Sequence, residues 1–123
     1  RQMCIRDRYD RRPYIVLTED GITEIFTICG QIEWEAILYA DDFYFRGQYW
    51  VRLLLESNYK PQLIRPAWFW RFDRLYESRG VKAVYLRTMG LEIDSMQLVA
   101  LIRRMKEADV PGRIELLNGC LLK

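Results

Sequence analysis

The sequence predicts a single α/β domain of consecutive strand–helix units with mainly parallel strands, opened by an N-terminal β-hairpin. Two observations carry this prediction. From Pro66 onward, helical and strand-like hydrophobic patterns alternate across short loops marked by Gly and Pro. Apolar positions also echo one another: Val84 and Ile114, and Leu86 and Leu116, are each 30 residues apart, while Leu53 lies 31 residues before Val84. A strand plus a helix occupies about that length. Alternating elements joined by short loops favour parallel strands and right-handed crossovers.

Residues 14–18 are apolar and β-branched, and Glu19-Asp20-Gly21 is a turn signal. Residues 22–29 then alternate, with Ile22, Glu24, Phe26 and Ile28 on one side, which completes the expected hairpin. Residues 32–39 fit strand and helix equally. Residues 43–56 are apolar and aromatic, and the stretch 50–55 reads as a helix end or a buried strand. Pro66 suits the first turn of a helix that carries Trp68, Phe72, Leu75 and Tyr76 on one face and stops at Gly80. Residues 81–87 form a strand with Val84 and Leu86 facing one way and Tyr85 and Arg87 the other. Asp94 caps a second helix, with Gln97 at the capping-box spacing. That helix buries Leu98, Leu101, Ile102 and Met105 and keeps Arg103, Arg104 and Lys106 wet. Val110-Pro111-Gly112 ends it, and residues 114–117 are expected to form the last strand.

Composition narrows the function. A chain of 123 residues with 50% hydrophobic and 29% charged residues is one globular domain, neither a disordered tail nor a disulfide-rich miniprotein. No apolar run approaches the ~20 residues of a membrane-spanning helix. The chain contains no histidine, which removes Ser-His-Asp and Cys-His nucleophilic chemistry and His-containing metal sites. Cys4, Cys29 and Cys120 are far apart and form no C-x-x-C, so they read as reduced thiols of a cytoplasmic protein. No cofactor or metal is expected.

The opening Arg1-Gln2-Met3-Cys4-Ile5-Arg6-Asp7-Arg8 resembles a translated sequencing-adaptor string of the kind seen at the edges of metagenomic reading frames. Residues 1–8 are therefore expected to be a non-native scar, with residues 9–123 as the domain. The apolar end at residues 116–123 is expected to be cut short. The other reading of the opening is a basic arm, with Arg6, Arg8, Arg11 and Arg12 touching phosphate or membrane. Leaving out the scar takes the net charge from +2 to zero, which weakens any case for nucleic acid. Trp68, Phe69, Trp70, Arg71, Phe72 and Arg74 mix aromatic and basic residues as single-strand binders do, but helical spacing turns the aromatics into a core face. Trp70 falls off that face, where it hints at a protein partner.

Three family resemblances accompany these patterns. Val81, Val84, Leu86, Met89 and Leu91, followed by Ile114, Leu116 and Leu121, resemble leucine-rich repeats, with Met89 where Asn or Cys usually stands. That resemblance implies a ladder of short strands with a concave binding face. Residues 80–86, Gly90 and residues 113–119 are similar to βα units of the radical SAM half-barrel, without its three-cysteine loop; there Gly90 and Asn118 would edge a pocket at the strand ends. Residues 39–46 and Ile93-Asp94-Ser95 are similar to the two short signatures of STAS domains, with Met96 at the position of the phosphorylated hydroxyl. Tyr39-Ala40-Asp41-Asp42 also resembles the metal-binding string of reverse transcriptases, but four residues in a chain of this length read better as Asp at a turn or helix start. The repeat reading sets the functional expectation: a non-enzymatic protein-interaction module whose outward strand residues Tyr85, Arg87, Arg113 and Glu115 meet another protein.

Overall fold

Antiparallel strands take the place of the expected strand–helix alternation. The computed structural model describes residues 2–9, 13–24, 31–56 and 79–119. Among these residues every strand pairing is antiparallel, and the strands fall into two sheets. This corrects the prediction of consecutive strand–helix units with parallel strands, and the βα-repeat architecture goes with it. The expected helix at residues 68–76, the strand positions from Ile25 to Cys29, and Leu121 lie outside the described residues.

The first sheet is a meander of short strands in chain order: β1 (Gln2–Arg6), β2 (Pro13–Thr18), β3 (Gly21–Glu24) and β4 (Ile32–Glu33). Within the stretch read in the sequence as a scar, Gln2–Arg6 form β1, and Ile5 lies in the core. Between β2 and β3 the Thr18 hydroxyl accepts hydrogen bonds from the amides of Asp20 and Gly21, at 3.2 and 3.3 Å. This side-chain turn brings β3 back along β2. Gly21 pairs with Glu33 so closely that a Cβ at position 21 would run into the Ile32 carbonyl.

A single 3-10 turn, Trp34–Ala36, leads into the second sheet. The Trp34 ring is fully buried, and its Nε1 donates to the Thr18 carbonyl at 2.8 Å. The second sheet has longer strands: β5 (Ile37–Phe45), β6 (Gln48–Glu56) and β7 (Val81–Arg87), in that spatial order. Burial alternates along β6, where Val51, Leu53 and Leu55 are inside. Helix α1 (Ser95–Glu107) covers that face and buries the residues its spacing predicts: Leu98, Leu101, Ile102 and Met105. Asp94 and Gln97 form a reciprocal capping box at its start, with Asp94 Oδ1 accepting from the Gln97 amide at 2.8 Å.

Residues 114–117 are helical, not a strand. They belong to α2 (Val110–Asn118), so Val110-Pro111-Gly112 begins a helix instead of merely ending one. Asp109 Oδ1 accepts from the Gly112 amide at 2.8 Å, and Pro111 occupies the first turn, where a missing N–H costs nothing. The two sheets also meet at a seam. Asp7 bridges Leu91, the Arg8 amide donates to the Gly90 carbonyl at 2.8 Å, and the Glu92 amide donates to the Arg6 carbonyl at 3.0 Å. The buried residues of both sheets and both helices form one hydrophobic cluster.

Candidate functional site

The end of the β5–β6 hairpin carries the most distinctive surface. Phe45 and Gln48 close a two-residue turn in which Arg46 and Gly47 both have positive φ, 53° and 81°. That is the type I′ geometry that matches the twist of a hairpin. Counting back from this turn, Phe45, Phe43 and Asp41 direct their backbone groups toward β6. The N–H and C=O of Tyr44, Asp42 and Ala40 therefore face the open side of β5, which is an edge strand among the described residues.

The two faces of the hairpin differ. On the face that carries α1 farther along, Tyr44 and Tyr49 stand directly opposite each other, with ring centroids 5.0 Å apart in an edge-on arrangement. They are 61% and 53% exposed, beyond the reach of the core. The Thr88 hydroxyl holds the Tyr49 carbonyl at 3.0 Å, so exposed Met89 follows next to the same end. On the other face, Phe43 lies 5.1 Å from the Tyr85 ring and 5.9 Å from the Phe45 ring. The Arg52 guanidinium covers Phe43 at 5.0 Å and grips the Asp41 carboxylate with two nitrogens, Nε at 2.8 Å.

Tyr39-Ala40-Asp41-Asp42 lies within β5, not at a turn. Successive strand residues point to opposite faces, so the Asp41 and Asp42 carboxylates diverge, and Asp41 is already held by Arg52. No group of three or more potential ligands able to hold a metal ion occurs among the described residues.

The four residues predicted from sequence do not form one surface. Tyr85 is fully buried within β7 against Phe43. Arg87 is exposed at the end of the same strand, with its guanidinium 5.3 Å from the centre of the Tyr14 ring, where it bridges the two sheets. Burial holds the Tyr14 hydroxyl above its ordinary pKa; the Glu24 carboxylate pushes the same way and Arg87 opposes it. Glu115 is exposed on α2. Arg113, also on α2, is buried, and its guanidinium donates to the carbonyls of Met105 at 2.7 Å and Glu19 at 3.4 Å and to Glu35 Oε1 at 2.7 Å. It therefore fastens the end of α1 to the β2–β3 turn. The reason for the difference is the helix: outward alternation on a strand became a one-in-four spacing that buries Arg113 with Leu117. Of the pocket expected at Gly90 and Asn118, Gly90 belongs to the seam and Asn118 ends α2.

A polar cleft near the seam is lined by Arg6, Asp7, Arg8 and Glu92. Two of its side chains are engaged by neighbouring backbone: Arg8 Nε donates to the Leu91 carbonyl at 3.2 Å, and Asp7 Oδ1 accepts from the Tyr9 amide at 2.8 Å. No helix among the described residues is long and apolar enough to cross a membrane. Compared with protein-family models, curated proteins and solved structures, the chain gave no match.

Proposed function

We propose that the chain is a non-enzymatic protein-interaction module that presents the end of its β5–β6 hairpin to a partner protein. The observation that carries this reading is the Tyr44–Tyr49 pair: two large rings, more than half exposed, set opposite each other beside a two-residue turn. Tyrosine supplies contact area at low entropic cost and is enriched at protein interfaces. Nucleic acid is a poorer fit, because Arg52 is engaged by Asp41, Arg103 by the Ala40 carbonyl at 2.9 Å, and Arg46 at the turn lies over the Phe45 ring at 5.2 Å. A cytoplasmic setting suits the free thiol of Cys4 on β1.

The test is a photo-crosslinking amino acid placed at position 44 in cells that make the protein, with position 96 as the control. Met96 is also exposed but lies on α1, a different element from the hairpin. A discrete protein adduct from position 44 that is absent from position 96 is the expected result. Equal labelling, or none, would remove the reading.

A further inference from the structure

We infer that the open edge of β5 pairs with β5 of a second copy of this chain, antiparallel and about a twofold axis at Phe43. This inference rests on the hairpin end being the interaction surface and names its partner.

Among the described residues the edge is open over a short, defined stretch. Near its start a register shift between Ile37 and Tyr39 disrupts the ladder. At Ala40 the outward carbonyl is already taken by Arg103 Nε at 2.9 Å, and the same guanidinium sits over the Tyr39 ring at 5.4 Å. At the far end Arg46 leaves the strand at φ 53°. What remains is Asp42 and Tyr44, two exposed residues whose backbone groups face outward, with no proline or lysine to blunt the edge.

Three twofold registers would align these residues, and two of them fail. An axis at Asp42 opposes two carboxylates directly and needs the Ala40 carbonyl that Arg103 occupies. With the axis at Tyr44, Asp42 would lie opposite Arg46, which is outside the strand, so only one hydrogen-bonded pair remains. An axis at Phe43 sets each Asp42 against the partner's Tyr44, giving two hydrogen-bonded pairs and four N–H to C=O bonds. It also sets Arg46 of each chain opposite Ala40 of the other, one residue from Asp41 and two from Asp42, so a cation faces the acidic end of the partner strand in both directions. The two three-stranded sheets then become one six-stranded sheet.

The experiment is sedimentation velocity on the full chain from micromolar to millimolar concentration, with charge-swapped variants. A concentration-dependent dimer is expected. Asp42→Arg and Arg46→Asp should each weaken it about tenfold, and the double variant should recover most of that loss. Circular dichroism verifies that each variant is folded. A monomer at every concentration, or a dimer indifferent to both single changes, overturns the inference. The outcomes also separate the two readings. An adduct from position 44 to a different protein, with the chain itself monomeric, keeps the interaction module and rejects self-pairing. Absence of both adduct and dimer rejects both.

Discussion

The two sheets hide hydrophobic surface with strands of very different length. Those of the first sheet have 5, 6, 4 and 2 residues; those of the second have 9, 9 and 7. In the first sheet β2 buries Tyr14, Ile15 and Leu17, and β3 buries Gly21, Ile22 and Glu24, so both faces are used. A nine-residue strand spans about 30 Å. Helix α1 shields only part of that length, and the hairpin end projects past it with Tyr44 and Tyr49 in solvent. Stability should therefore concentrate where the short strands and the helix ends meet, and recognition where the long strands run beyond their core.

The largest blow to the first of these regions is Trp34→Ala. The ring sits between the sheets, fully buried, and its N–H satisfies the Thr18 carbonyl. Truncation should cost about 3–5 kcal/mol, read as a lower midpoint in urea unfolding with an unchanged slope. A loss under about 1 kcal/mol would mean that the two sheets do not share a core through this residue.

That core was only partly legible in the sequence. Helix α1 was readable because its signals are local: a capping box at Asp94 and Gln97 and an apolar stripe at helical spacing. Helix α2 was misread because its buried anchor is an arginine, and because Pro111 and Gly112, which usually mark an end, sit in its first turn. The spacing from Leu53 to Val84 located a real contact, since these residues are partners between β6 and β7. Spacing carries no direction, however. The next partners are Val51 with Leu86, the antiparallel sense, where a parallel ladder would have advanced both strands together. The β5–β6 hairpin end was hidden for a local reason: Arg46-Gly47 forms a type I′ turn with an arginine at positive φ, a position where Asn or Asp is the recognisable signal.

Arg113 comes next in expected effect. Replacing it by alanine leaves the carbonyls of Met105 and Glu19 without their donor, at a cost of about 2–3 kcal/mol. Glu35→Gln should cost less than about 1 kcal/mol, because that carboxylate is 68% exposed and screened by water. The same pair predicts a pH effect. The hydrogen bond from Arg113 holds the Glu35 carboxyl below its ordinary pKa, so the folded state binds its proton less readily than the unfolded state. Its contribution is complete near neutral pH and fades as the pH falls below about 4.5. Urea midpoints of the wild type and Glu35→Gln should accordingly converge on acidification. A gap that persists through the acid range would detach Glu35 from this stabilisation.

The smallest effect on stability should come from the hairpin end itself. Tyr44 and Tyr49 touch each other in solvent, so removing both rings forfeits a single edge-on contact and little buried area. Tyr44→Ala, Tyr49→Ala and their combination should form a cycle with a coupling of about 0.5–1 kcal/mol, and the double variant should stay folded. The same variant should lose the contact made at position 44, because those rings supply its apolar area. Such a split is what distinguishes an overhanging recognition end from a core that happens to be exposed. A double variant more than about 3 kcal/mol less stable than the wild type would place the tyrosines in the core and erase the contrast between the two sheets.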